Sequence, residues 1–321
     1  MKFSQCIISL SRALNSSNFD TLVQYYLEKA SVSSKWMLFS DYCLDDKNKP
    51  NDVITFVMLP YCSEDQYSSM DKKIQQTQPK DIKKVSEVNG DFLEYIKGQP
   101  ILSFSFIVNN RKVLFGTSGE ERCKNVVKFL ETVKDQFVVW RANLSAEMPI
   151  DYYQDAIKKL KKQIVEAEQT RNVKQLIDII LVATLGAHFS SNILKKIPQL
   201  DVFGWFPDRD KIGASCDNIV TSIFYTIQYN QLKNKQYQFV TAVPNQEQSP
   251  FYDNMNRIAD VICGTLADYK YNTDTDNFSK DKFAKVLKGL IADNSFIKIY
   301  RLIAEGEKSL SEIEFKTAVG E

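Results

Sequence analysis

Histidine is almost absent from the chain: one residue, His188, in 321. That scarcity excludes histidine-rich zinc sites and makes any Ser-His-Asp or Cys-His mechanism depend on a single imidazole. His188 lies in Gly186-Ala187-His188-Phe189 at the end of an apolar helical pattern, which reads as a cap or packed ring before a catalytic base. The six cysteines (Cys6, Cys43, Cys62, Cys123, Cys216, Cys263) are too dispersed for CxxC metal pairs or a small disulfide scaffold, so reduced thiols and a cytoplasmic setting are expected. Excess charge is lacking too. Lys+Arg 41 against Asp+Glu 40 leaves a net +1, so nucleic acid or anionic lipid would need a local patch. No Gly-x-Gly-x-x-Gly or Walker-type phosphate loop occurs, which argues against a nucleotide-driven motor. Long apolar runs are missing as well: Leu176 to Leu185 contains Asp178 and falls short of the roughly 20 residues that span a bilayer. Arg12 directly follows the short apolar stretch Cys6 to Leu10, so neither a secretory leader nor a membrane partner is expected.

What is present is a chain that is 44% hydrophobic, 12% aromatic and 25% charged, with ample material for a large core. Residues 1–30 carry apolar positions spaced for one or two amphipathic helices. Lys35 to Ser40 is an unbroken apolar run suited to a strand buried on both faces, and Val53 to Leu59 is a β-rich run ended by Pro60. Ile101 to Val108 and Lys112 to Gly116 read as strands joined in a hairpin through Asn109-Asn110. Helical patterns follow at about 119–143, 151–170 and 172–196. Beyond them strand Asp201 to Phe206, helix 215–232, strand Tyr237 to Val243 and helix 250–269 alternate, as a parallel sheet segment requires. Ser249-Pro250 is the expected start of that last helix. A helix follows at 279–292, and Phe296 to Ile303 fits either a strand or a helix. The expected organisation is an N-terminal helical segment (1–30), an α/β domain with a mixed sheet and flanking helices (31–270) and a C-terminal helical extension (271–321). Residues 61–98 and 119–196 are helical insertions in the α/β domain.

Three aspartates stand where open α/β sheets place their sites, at the carboxyl ends of strands, and a fourth lies within a helix. Asp41 follows the first buried strand, and Asp208 and Asp210 follow Trp205-Phe206-Pro207. Asp260 shares a helix face with Asp253, Asn256, Gly264 and Ala267, small or polar residues that would leave room for a metal, a phosphate or solvent. The plainer alternative is the wet face of an amphipathic helix.

The order of these elements resembles an RNase H-like nuclease core. It resembles more closely a family of bacterial RNase H-like domains of unknown function, found in mobile elements and defence loci. That family opens with an acidic pair on its first strand and closes with a helix reading roughly Gln-Leu-Ala-Asp before a small-residue segment. The counterparts are Phe39-Ser40-Asp41-Tyr42 and Arg257-Ile258-Ala259-Asp260, followed by Gly264. Here Asp41 is followed by Tyr-Cys-Leu, where the family has an acidic-Ser-Gly turn.

The resemblance implies two-metal phosphodiester hydrolysis on Mg²⁺ or Mn²⁺, cations suited to carboxylate oxygens, in bacterial or phage conflict. Asp41 would bridge the ions, with Asp208 or Asp210 and Asp260 as outer ligands and Glu120, Glu121 or Asp253 as fourth-ligand candidates. Nucleic-acid phosphates could meet Lys158, Lys159, Lys161 and Lys162, although a solvated helix face is the simpler reading of that cluster. The rival expectation is a catalytically silent module of the same scaffold whose helical excursions grip a protein partner. Asn272 to Ser279 hints at a calcium loop, but it lacks the central glycine and reads better as a polar turn in which Ser279 caps the next helix.

Overall fold

The computed structural model describes residues 2–30, 33–143, 150–208, 211–233, 235–241, 251–271 and 277–317. In chain order it builds α1 (Lys2–Leu14), α2 (Ser17–Lys29), β1 (Lys35–Cys43), β2 (Val53–Pro60), α3 (Glu64–Thr77), α4 (Gly90–Gly98) and β3 (Leu102–Ile107). There follow α5 (Gly119–Ala142), α6 (Ile150–Thr170), α7 (Lys174–Leu194), β4 (Val202–Pro207), the single turn α8 (Lys211–Ala214), α9 (Ile219–Gln231), β5 (Gln238–Thr241) and α10 (Asp253–Asp268). The chain ends with α11 (Asp281–Val286), β6 (Ile297–Leu302) and β7 (Leu310–Ile313).

The strands form one mixed sheet of order β5-β4-β1-β2-β3-β6-β7. Strands β1, β2 and β3 form an antiparallel meander, β4 and β5 add in parallel beyond β1, and β6 lies parallel to β3. Helices cover both faces. One layer of core holds α1, α2, α5, α6, α7 and α9 against Trp36, Leu38, Ile54 and Phe56; the other holds α3, α4, α10 and α11 against Met37, Phe39, Val53 and Val57. Double coverage explains why β1 and β2 read as unbroken apolar runs. The 61–98 excursion contributes α3 and α4 to the second layer, and the 119–196 excursion contributes α5, α6 and α7 to the first.

Helix α7 spans 21 residues and is, by length and composition, apolar enough to cross a membrane, longer than the Leu176 to Leu185 run suggests. It is instead almost wholly buried inside the protein. Gly186 lets it lie close on the sheet: a Cβ there would come within 2.6 Å of the Phe56 ring.

Two expectations are corrected. The hairpin through Asn109-Asn110 does not form: Asn110 takes a left-handed conformation (φ 57°), and Arg111–Phe115 is a 3-10 turn whose Leu114 and Phe115 enter the core. Arg111 is drawn inward by three aspartates, and Phe115 stacks on Phe3 at 4.8 Å, so β3 finds its second neighbour in β6. The C-terminal segment is likewise more than a helical extension, because β6 and β7 complete the sheet. In β6, Ile299 and Tyr300 are both buried, one in each core layer. The N-terminal helices are equally integral, with the Tyr26 hydroxyl donating to the Met58 carbonyl at 2.8 Å.

Candidate functional site

The parallel register of β1 and β4 pairs Phe39 with Phe206 and Ser40 with Pro207. The Asp208 amide continues it, donating to the Ser40 carbonyl at 2.8 Å, which sets Asp208 beside Asp41 at the carboxyl ends of both strands. Asp41 shares the face of Met37 and Phe39, the face covered by α10. Across β2 its partner is Thr55, whose hydroxyl is hydrogen-bonded to Ser105 of β3 at 2.8 Å. Asp41, Thr55 and Ser105 therefore form a polar row across three strands.

Asp260 comes to this place from α10. Burial pushes its carboxyl above the usual carboxylate range and the Asp208 charge adds to that rise, while the Ile82 amide, donating at 2.6 Å, and Arg257 pull it down. Arg257, one turn earlier, feels both Asp260 and Asp41. Its Nη1 donates to Asp81, while its buried Nε has no acceptor. The Cys263 thiol, one turn beyond, donates to the Val53 carbonyl at 3.6 Å and is pushed far above its ordinary pKa by burial, then by Asp41. Asp208 thus acts on Asp260, and Asp41 and Asp260 act on the same Arg257.

The small-residue face of α10 is put to a different use from the one its composition suggests. A Cβ on Gly264 would meet Ile82 Cγ2 at 2.8 Å, so the glycine makes room for the chain segment Ile82–Lys84 rather than for a ligand. Asn256 and Ala267 are buried, which also corrects the wet-face alternative. Lys282 locks this cover, donating to the Ile82 and Val85 carbonyls at 2.6 Å each.

Other candidates lie elsewhere. Asp210 and Ser249-Pro250 fall outside the described residues, and α10 begins at Asp253, two turns before Asp260. Glu120 and Glu121 open α5 in the opposite layer, where Glu121 accepts from the Thr117 amide at 2.9 Å as part of the helix start. In the lysine cluster of α6, Lys159 pairs with Asp155 at 2.6 Å and Lys162 with Asp217 at 2.9 Å. His188 lies inside α7 rather than at its end; its Nδ1 contacts Gln231 at 2.8 Å, and burial lowers its pKa to about 4. Ser279 does not cap the next helix but donates to Asp268, and Asn272 to Asp276 lie outside the described residues.

Arg257, Asp81, Thr55 and Ser105 were not singled out from sequence. The hydroxyl at the centre of Val53-Ile54-Thr55-Phe56-Val57 is the one local signal, a polar residue in a strand otherwise wholly apolar.

Oxygen donors from Asp41, Asp208 and Asp260 have the hard chemistry that magnesium or manganese selects, and burial is the first cause of Asp260's raised pKa, with Arg257 and Lys83 opposing it. Among the described residues no three His, Cys, Asp or Glu side chains are drawn close enough to enclose an ion. Comparison with protein families, with curated proteins and with solved structures finds no match to this chain.

Proposed function

We propose that the chain is a divalent-metal-dependent nuclease built on an RNase H-like sheet. The observation that carries the reading is Asp208 beside Asp41 at the carboxyl edge of β1 and β4, with Asp260 within electrostatic reach of Asp208. The order β3-β2-β1-β4-β5, with β2 alone antiparallel to its neighbours, supports the RNase H-like assignment. Asp41, Asp208 and Asp260 would hold Mg²⁺ or Mn²⁺, which when bound activates water and stabilises the leaving oxygen. Arg257 offers the unpaired Nε–H to a phosphate oxygen, a charge-assisted contact, while Asp81 holds the other side of its guanidinium. The Ile82 amide fixes the Asp260 rotamer and favours its charged form.

The test is calorimetric titration of Mn²⁺ together with cleavage assays on mixed DNA and RNA. Micromolar metal binding with cleavage, both lost in Asp41→Asn and Asp260→Asn, is the expected result. Neither signal in the parent protein overturns it. A second reading, a silent module that binds a protein, is favoured by Arg257 standing among the carboxylates and by the net charge of +1. Co-purification of a stoichiometric protein in the absence of metal binding would establish that module.

A further inference from the structure

Among the described residues no three His, Cys, Asp or Glu side chains lie close enough to enclose an ion, so a cation held beside Asp41, Asp208 and Asp260 needs an oxygen donor of another kind. Asn256 of α10 is 5% exposed, and neither its Oδ1 nor its Nδ2 has a hydrogen-bond partner. Its backbone amide donates to the Tyr252 carbonyl at 3.2 Å, so the open capacity is in the side chain alone. A buried amide unmatched at both ends is a state that protein interiors rarely keep, because each end has given up water without a replacement.

The helix brings that amide to the acidic site. Tyr252, Asn256, Asp260 and Cys263 follow one another at intervals of four, four and three residues, which puts them on one stripe of α10. At one end of the stripe the Tyr252 ring meets Phe206 of β4 at 5.2 Å, and Phe206 stacks on Phe39 of β1 at 5.7 Å. Asp41 is the next same-face position on β1, and Asp208 extends the same register just beyond β4. At the other end Cys263 bonds to the Val53 carbonyl and feels the Asp41 charge, and Asp260 between them feels that of Asp208. Helix side chains lean toward the N-terminus, so the Asp260 carboxyl leans over the turn that carries Asn256.

We infer that Asn256 supplies a fourth oxygen ligand, through Oδ1, to a divalent cation held with Asp41, Asp208 and Asp260. The inference deepens the nuclease reading and rests on it for the presence of the ion. Amide carbonyls belong with carboxylates and water among the donors that magnesium and manganese accept. An apolar ligand would satisfy neither end of the amide, and an anion would satisfy Nδ2 only while facing the aspartates. A cation takes Oδ1 directly and leaves Nδ2 to donate to a carboxylate drawn to the same ion. Glu120 and Glu121, in the opposite layer, leave this position to α10.

The experiment is calorimetric titration of Mn²⁺ into the parent protein and its Asn256 variants, with melting temperatures measured in EDTA and in excess Mn²⁺. Asn256→Leu keeps the volume and removes both unmatched atoms, so its melting temperature in EDTA should equal or exceed the parent's while its Mn²⁺ affinity falls at least tenfold. Asn256→Asp keeps an oxygen in the same place. Its melting temperature in EDTA should fall, because a further buried carboxylate joins the aspartates; Mn²⁺ should restore it, with an affinity equal to or above the parent's. A side chain that merely holds a buried water predicts the reverse split, unchanged Mn²⁺ affinity in Asn256→Leu and no rescue of Asn256→Asp, and that result overturns the proposal. If Asn256→Leu fails to fold, Asn256→Ala takes its place with the same expected loss of affinity. Binding lost in Asp41→Asn but intact in the folded Asn256 variants overturns this ligand assignment and leaves the nuclease reading standing. Binding that depends on Asn256 without cleavage of any nucleic acid fells the nuclease reading alone, and no Mn²⁺ binding by the parent overturns both.

Discussion

Two arginines stand among aspartates on this sheet, and their surroundings differ in one decisive respect. Arg111, 3% exposed, donates through Nε to Asp178 at 2.5 Å, through Nη1 to Asp52 at 2.6 Å and through Nη2 to Asp45 at 2.6 Å. Each of its nitrogens has a carboxylate, so the group is closed: it ties the β1–β2 loop, the β3 exit and α7 into one clasp. Arg257 has Asp81 on one side, Asp41 and Asp260 within electrostatic reach, and a buried Nε with nothing to donate to. Similar residue types make a scaffold where every donor is matched and a candidate site where one is left over.

The sharpest way to break this comparison is to remove the clasp. Arg111→Met would leave Asp178, Asp52 and Asp45 without their cation, and taking one partner from a buried ion pair costs about 3–5 kcal/mol. Urea unfolding at neutral pH should show a loss of that size; a loss below about 1 kcal/mol would show that the carboxylates find water and that the clasp is not structural.

Asp41→Asn should behave in the opposite way. It removes a charge from a crowded acidic place, so folding stability should be unchanged or higher, while metal-dependent cleavage should fall by about 100-fold or more, the scale of several kcal/mol of lost charge stabilisation. A variant that unfolds, or one that cleaves as well as the parent, would move Asp41 into the same structural class as the clasp.

Much of the site was legible before the fold because its signals are local. Asp208 directly follows β4 and Asp41 directly follows the apolar run of β1, a strand that continues past it to Cys43, and such a run is recognisable from one stretch of sequence. The parallel pairing of β4 and β5 also followed from the alternation of strand and helix patterns. The clasp was not legible: Asp45 and Asp52 lie in a polar loop that looks solvated, and Asp178 interrupts an apolar helix without naming its partner 67 residues away. The cover over Asp260 was hidden for the same reason. The small residues of α10 announce a close approach, but periodicity alone does not say whether a ligand or Ile82 makes it. The misplaced hairpin has a related cause, since Asn109-Asn110 fits a turn equally well whether a strand or a 3-10 turn follows.

That cover provides a smaller test. Gly264→Ala would improve helix propensity by about 1 kcal/mol but push a methyl group against Ile82 Cγ2, and overpacking of this kind costs about 1–3 kcal/mol. The net effect should be a destabilisation of about 1 kcal/mol, with faster hydrogen exchange at the Ile82 amide that serves Asp260. Stabilisation with the amide still protected would mean that the Ile82–Lys84 turn shifts freely and that Asp260 does not depend on it.

The finest test is pH, because one carboxylate of each group is displaced in opposite directions. At Asp45 burial pushes upward, but Lys174 and Arg111 outweigh it and hold the carboxyl below its ordinary value. Its contribution is therefore present above the ordinary carboxylate range and lost as pH falls through the depressed value. At Asp260 burial and Asp208 win, and the carboxyl lies above its ordinary value. Its charged form is the penalised one, so its stabilising contribution is present below the ordinary range and lost as pH rises through the raised value. Asp45→Asn should then lower stability at neutral pH and flatten the acid limb of the stability curve. Asp260→Asn should leave the acid limb in place and hold or raise stability at neutral pH. Thermal unfolding from pH 3 to 8 on the two variants separates the signs. If Asp260→Asn destabilises at neutral pH as Asp45→Asn does, the ionised Asp260 is a structural hydrogen-bond acceptor for Ile82, and the contrast between the two groups fails at its most exposed point.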